Sequence, residues 1–136
     1  MARIELVDQT LVVADRRHLA GLIADRCRWR EWWPELDLCV FMDRGLDGIR
    51  WTITGELVGS SEIWLEEVGD GVVVHYFLRA DPTIAGSASV AKITPVGPRG
   101  RHQADRLRRR HALAWKKSVW ALKDQLEVGR APGESR

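Results

Sequence analysis

The last third of the chain constrains the fold most. From Arg99 to Val128, Leu107, His111, Trp115, Val119, Leu122 and Leu126 recur three or four residues apart. That spacing gathers them on one face of an α-helix. A helix of about 28 residues is roughly 42 Å long. Between residues 99 and 123 it carries nine basic side chains (Arg99, Arg101, Arg106, Arg108, Arg109, Arg110, Lys116, Lys117 and Lys123) against one acid, Asp105. Such a helix is too long and too basic to be buried on all sides. It needs a broad apolar surface to lie on.

The preceding residues supply that surface. Ile4 to Val13 predicts a strand, and Asp15 is the N-cap of a helix over Arg16 to Ala24 whose buried side is Leu19, Leu22 and Ile23. A helical turn over Arg28 to Trp33 stops at Pro34; its three rings, Trp29, Trp32 and Trp33, are expected not to face one core. Strand-like runs follow at Leu36–Met42, Ile49–Thr54, Ser60–Val68 and Val72–Ala80. The turns between them include Asp43-Arg44-Gly45, Asp47-Gly48 and Gly69-Asp70-Gly71, which predict an antiparallel meander. Ile49, Trp51 and Ile53 alternate with Arg50, Thr52 and Thr54, and Ile63 and Leu65 with Glu62, Trp64 and Glu66. One face is apolar and one mixed, as in a sheet covered on a single side. Residues 82 to 98 hold three prolines and two glycines, a connector long enough to expect a functional loop. The expected organisation is one domain over residues 1–128 and a disordered tail over 129–136.

Composition narrows the function classes. The chain is 45% hydrophobic and 29% charged, ordinary for a globular domain. It has no run near the eighteen apolar residues of a membrane span and no signal-peptide pattern, so a cytoplasmic location is expected. Cys27 and Cys39 fit no metal-ligand spacing and read as a reduced, largely buried pair. No phosphate-binding glycine loop, catalytic triad spacing or metal pair is present in the sequence, so neither cofactor nor metal is expected, and catalysis stays an open question. Of four scattered histidines, His111 reads as a hydrogen-bonded core residue. Tyr76 with Glu67 or Asp81 is the acid–base pair that a reaction in a cavity would use.

The charge is unevenly placed. Residues 1–98 carry a net −5, residues 99–123 a net +8 and the remainder −1. Either the basic helix lies against acidic parts of the sheet, or it meets an anionic partner.

Strand, two small helices with a tryptophan–proline stop, antiparallel strands, loop and long closing helix together resemble the START-like superfamily, also called SRPBCC or helix-grip. The likeness is to its small bacterial polyketide cyclase/dehydrase proteins. It is carried by Val13-Ala14-Asp15, Leu22-Ile23-Ala24-Asp25, Trp29 through Trp33-Pro34, the hairpin Glu62-Ile63-Trp64-Leu65 to Val74-His75-Tyr76-Phe77-Leu78, and the last helix. The implied class is α+β, a curved antiparallel sheet around the C-terminal helix. Family members have seven strands and this chain shows five runs, so an abbreviated sheet is expected.

The resemblance implies a hydrophobic ligand of lipid, polyketide or aromatic type held between sheet and helix. Trp51, Ile53, Ile63, Leu65, Val74, Tyr76 and Leu78 would line the sheet side and Trp115, Val119 and Leu122 the helix side, with Ile84 and Val90 on a lid. A cyclase- or aromatase-like enzyme would use the same cavity. Some START-like relatives associate with ribosomes, which makes an RNA-binding role through Arg106, Arg108, Arg109 and Arg110 a further alternative. Trp64, His75 and Phe77 fall on the opposite sheet face, where an aromatic patch predicts a homodimer contact.

Overall fold

A computed structural model of the protein describes residues 2–83 and 97–128. The elements are β1 (Ile4–Val12), α1 (Arg16–Ile23), α2 (Arg26–Trp32), β2 (Leu36–Asp43), β3 (Gly48–Gly55), β4 (Leu57–Val68), β5 (Gly71–Pro82) and α3 (Pro98–Leu126). The strands form one antiparallel sheet in the order β1-β5-β4-β3-β2. The abbreviated five-strand sheet and the α+β helix-grip layout follow the sequence pattern. Ile84, Val90 and the tail over 129–136 lie outside the described residues.

The two short helices begin where their caps demand. The Asp15 carboxylate accepts from the Arg17 backbone N–H at 3.3 Å and the Asp25 carboxylate from that of Cys27 at 3.0 Å, each satisfying a donor the helix cannot. α2 ends because Pro34 disfavours helical geometry in the residue before it. Trp33 accordingly leaves the helix at φ −132°, ψ 66°. That departure corrects one expectation: Trp29, Trp32 and Trp33 are all buried in one core, because Trp33 is no longer bound by the 100° helical step that would have turned it away. The indole N–H of Trp29 donates to the Ile23 carbonyl at 2.6 Å, tying α2 to α1.

The sheet register follows the alternation. Ile49 faces Ile63 across β3 and β4, and Ile63 faces Tyr76 across β4 and β5, so the apolar residues share one surface. β4 starts at Leu57, three residues earlier than predicted, because a tight reversal at Glu56 joins it to β3 and Gly59 hides the alternation. Cys27 and Cys39 are free and exposed, not the buried pair expected. Among the described residues, no helix is long and apolar enough to cross a membrane.

α3 crosses the apolar face against β1 and β5, and its other flank meets α2. Its basic side chains reach the sheet's acids and carbonyls. Lys116 Nζ lies 2.6 Å from Asp8 Oδ1, Lys123 Nζ donates to the Leu11 carbonyl at 2.7 Å, Arg108 donates to the Glu5 carbonyl at 3.3 Å, and Arg110 pairs with Glu56. Much of the charge asymmetry is thus internal. At the end of α3, Glu127 accepts from the Val13 backbone N–H at 3.1 Å and from Lys123 at 2.6 Å, which pins the helix terminus to the turn after β1.

Candidate functional site

Between sheet and α3 the aromatic side chains build one layered cluster. Trp115 stacks on Tyr76 with ring centroids 4.2 Å apart and lies parallel to Trp33 at 6.1 Å. Trp32 meets Trp115 edge-on at 5.7 Å, and Trp51 meets Trp29 edge-on at 5.2 Å. These are the offset and edge geometries that ring quadrupoles favour. The Trp115 indole N–H donates to Asp8 Oδ2 at 2.8 Å. Burial of Asp8 opposes its ionisation, yet hydrogen bonds from Lys116, Trp115 and Thr10 outweigh it and hold the carboxyl below the usual aspartate value.

The structure brings the predicted lining residues together. Trp51, Ile53, Ile63, Leu65, Val74, Tyr76, Leu78, Trp115, Val119 and Leu122 form one apolar interior, and none is more than 3% exposed. Side chains so fully covered leave little border for a ligand. Burial pushes the Tyr76 phenol well above its ordinary pKa, and a hydrogen bond with the Trp33 side chain opposes that only in part. Tyr76 also lacks the partners proposed for it. Asp81 lies on the other face of β5 and pairs with Arg3 at 3.3 Å, and Glu67 pairs with Arg16 at 3.5 Å on the surface.

Open space lies to one side of this cluster, in a cleft of about 470 Å³ between α2 and α3. Arg28, Glu31 and Trp32 of α2 form one wall with Pro34 and Glu35 beyond it; Arg110, His111, Ala114, Lys117, Ala121 and Leu122 of α3 form the other. Trp32 and Leu122 separate the cleft from the aromatic layers. The floor is apolar and the rim charged. Of the predicted ligand residues among those described, Leu122 alone reaches the cleft wall.

Against His111 of the α3 wall sits a polar group that the sequence did not single out as a unit. Glu56, at the β3–β4 reversal, donates its backbone N–H to the Glu35 carbonyl at 3.1 Å and accepts from the Thr83 N–H at 3.0 Å. One carboxylate oxygen pairs with Arg110; the other lies 3.4 Å from His111 Nε2. That oxygen and that nitrogen are both buried without a hydrogen bond. His111 is therefore in the core, as expected, but unsatisfied. Nothing in the spacing could have revealed Glu56, because its role depends on which strands pair.

Burial lowers the pKa of His111, the Arg110 cation acts in the same direction, and Glu35 opposes both. The unfolded chain, with an ordinary histidine near 6.5, then binds more protons than the native state as the pH drops below that value. Stability is full above about pH 6.5 and falls as the solution is acidified through the native pKa. His111→Gln removes this contribution, so the urea midpoint of the variant should change less between pH 8 and 5 than that of the parent. Equal slopes would contradict the assignment.

Of the arginines considered for anion binding, Arg108 and Arg110 are engaged within the fold as described. Arg106 borders an open hollow with Pro98, Arg99, His102 and Gln103, and Arg109 is exposed. On the outer sheet face, the His75 ring stacks on Trp64 at 4.3 Å and faces Phe77 at 6.4 Å. His75 is buried beneath its neighbours, while its Nε2 lies 2.9 Å from Glu66 Oε1.

No known protein-family profile matches the chain, and no curated protein sequence does. Solved structures do. The Aha1 dimer from Colwellia psychrerythraea is similar with a TM-score of 0.55 at 12% identity, over 94% of this chain and 99% of that one. TTHA0849 from Thermus thermophilus is similar at 0.52 and 12%, over 93% and 99%. The Zhui aromatase/cyclase from Streptomyces sp. R1128 is similar at 0.51 and 15%, over 96% and 98%. The chain has the START-like, helix-grip fold.

Proposed function

We propose that the protein binds a hydrophobic small molecule of lipid, polyketide or aromatic type between α3 and the rest of the grip. The observation that carries this reading is the cleft of about 470 Å³, which is within the size range of small-molecule sites and has an apolar floor backed by the aromatic layers. The ligand body rests on Trp32, Ala114, Ala121 and Leu122. Deeper contact with Tyr76, Trp115 and the β3–β5 face requires Trp32 to swing from its edge-on position against Trp115. The fold shared with an aromatase/cyclase supports the ligand class by analogy alone. Native mass spectrometry of the freshly purified protein should show an added mass, released on denaturation, and Ala121→Trp, which fills the cleft, should abolish it. Retention of the added mass by the filled variant would refute this location.

A second copy of the chain is the proposed partner for the outer sheet face. Val7 is 69% exposed and Leu11 46% exposed on β1. Each stands beside an outer-face residue of β5, Phe77 and Val73 respectively, and Trp64 continues the patch. Around it the charges are paired in both signs, Glu5 with Arg79 and Glu62 with Arg44 and Arg50, which suits a self-complementary contact better than a polyanion. Five strands about 4.8 Å apart, each rising about 3.3 Å per residue, present roughly 600–900 Å², comparable with the roughly 800 Å² per partner of a stable interface. A similar structure is itself that of a dimer. Sedimentation should give twice the chain mass at micromolar concentration, and Val7→Glu with Trp64→Glu should halve it while the far-ultraviolet circular dichroism stays that of the folded chain. A monomeric parent protein at 100 micromolar (a test value on the order of the weakest stable dimers) is the contrary result.

A further inference from the structure

His111 lines the cleft, and its buried Nε2 lies 3.4 Å from the buried Glu56 Oε2, with neither atom making a hydrogen bond. Leaving such atoms unpaired costs free energy, and the surrounding backbone holds both in place. Glu56 is fastened at its N–H and C=O by Glu35 and Thr83, and His111 sits mid-helix on the buried face of α3. A small rotation of the imidazole converts the 3.4 Å approach into an Nε2–H···Oε2 hydrogen bond. The other ring nitrogen is then unprotonated and an acceptor.

We infer that His111, oriented by Glu56, is the polar seat of the cleft and accepts a hydrogen bond from the acidic hydroxyl of a phenol or enol carried on a flat apolar body. The inference rests on the ligand-binding reading above. Three features select this class. The acceptor is a neutral imidazole with no carboxylate of its own, so it prefers a hydroxyl donor to a cation. Arg110, beside Glu56, supplies positive charge that favours an oxygen carrying partial negative charge. The wall formed by Trp32 gives a ring face for stacking. An aliphatic chain without a donor leaves the accepting ring nitrogen of His111 unpaired. A carboxylate would meet Glu35 and Glu56 at like charge.

The groups facing His111 are Arg110 from its own helix, Glu56 from the β3–β4 reversal and Glu35 from the segment after α2. Protonation of the ring removes the acceptor, so the preference for a hydroxyl weakens on acidification.

Equilibrium dialysis with 2-naphthol and with its methyl ether, which keeps the ring system and removes the donor, tests this at pH 8. The parent protein should bind 2-naphthol at least tenfold more tightly than the ether. That ratio should fall to near one in His111→Phe and drop severalfold in Glu56→Gln. A ratio near one in the parent protein, or a ratio preserved in His111→Phe, overturns the seat while leaving ligand binding intact. Binding of neither compound overturns the seat and the ligand-binding reading together. The parent-protein comparison needs no variant to fold.

Discussion

Trp115→Ala should cost about 3–5 kcal/mol of stability, the range for removing a buried large aromatic side chain. This ring is the centre of the interior: it is 3% exposed, stacks on Tyr76 at 4.2 Å, lies parallel to Trp33 and receives the edge of Trp32. Its removal opens a void under α3 that the surrounding rings, held by strands and a proline-stopped helix, are poorly placed to fill. It also takes one of the donors from Asp8. Trp115→Phe separates the two effects. It keeps a ring in the stack but loses the N–H to Asp8 Oδ2, a bond to a charged acceptor contributing about 1.5–3 kcal/mol, and should fall between the parent and the alanine variant. Urea titration followed by far-ultraviolet circular dichroism measures both, with an unchanged slope and a lowered midpoint. An alanine variant within about 1 kcal/mol of the parent would mean the helix does not depend on this cluster.

Gly48→Ala should destabilise by at least about 3 kcal/mol, through strain at a backbone position closed to other residues. Gly48 opens β3 at φ 122°, and a Cβ there would lie 1.9 Å from the Ile63 carbonyl oxygen. The obstacle is backbone at the pairing of Gly48 with Trp64 and Ile49 with Ile63, so relief means parting β3 from β4. Gly45→Ala is the control. Its φ is 60° with open space around the Cβ position, so only the left-handed conformation is penalised, by about 1–2 kcal/mol. Similar losses for the two variants would show that steric contact with Ile63 contributes nothing.

Much of the fold is legible in the chain because local rules act over a few residues. The three- and four-residue stripe from Leu107 to Leu126, the aspartates before α1 and α2, the break at Pro34 and the two-residue alternation through Trp51, Ile63 and Tyr76 each record a local energetic preference. The same alternation placed seven sheet residues on the interior surface and Trp64, His75 and Phe77 on the other. Relations between distant parts of the chain are not legible in this way. Cys27 and Cys39 look like buried thiols by type but are exposed, and Tyr76 has carboxylates nearby in sequence that the fold sends to Arg3 and Arg16.

The chain's periodicities and caps were enough to specify an antiparallel sheet gripped around a basic terminal helix, since hydrophobic burial and backbone hydrogen bonding follow from residue order at short range. Three-dimensional packing settled where space remains. Trp33, freed from helical geometry by its proline neighbour, fills the interior together with Trp115 and Tyr76, and the void is left between α2 and α3. Packing also set Glu56 beside His111, 55 residues apart in sequence, because the β3–β4 reversal and the middle of α3 meet only after the sheet has closed over the helix. Long-range steric fit and the pairing of buried polar atoms have no periodic trace in a linear chain, so the polar group at the cleft wall emerges with the tertiary structure.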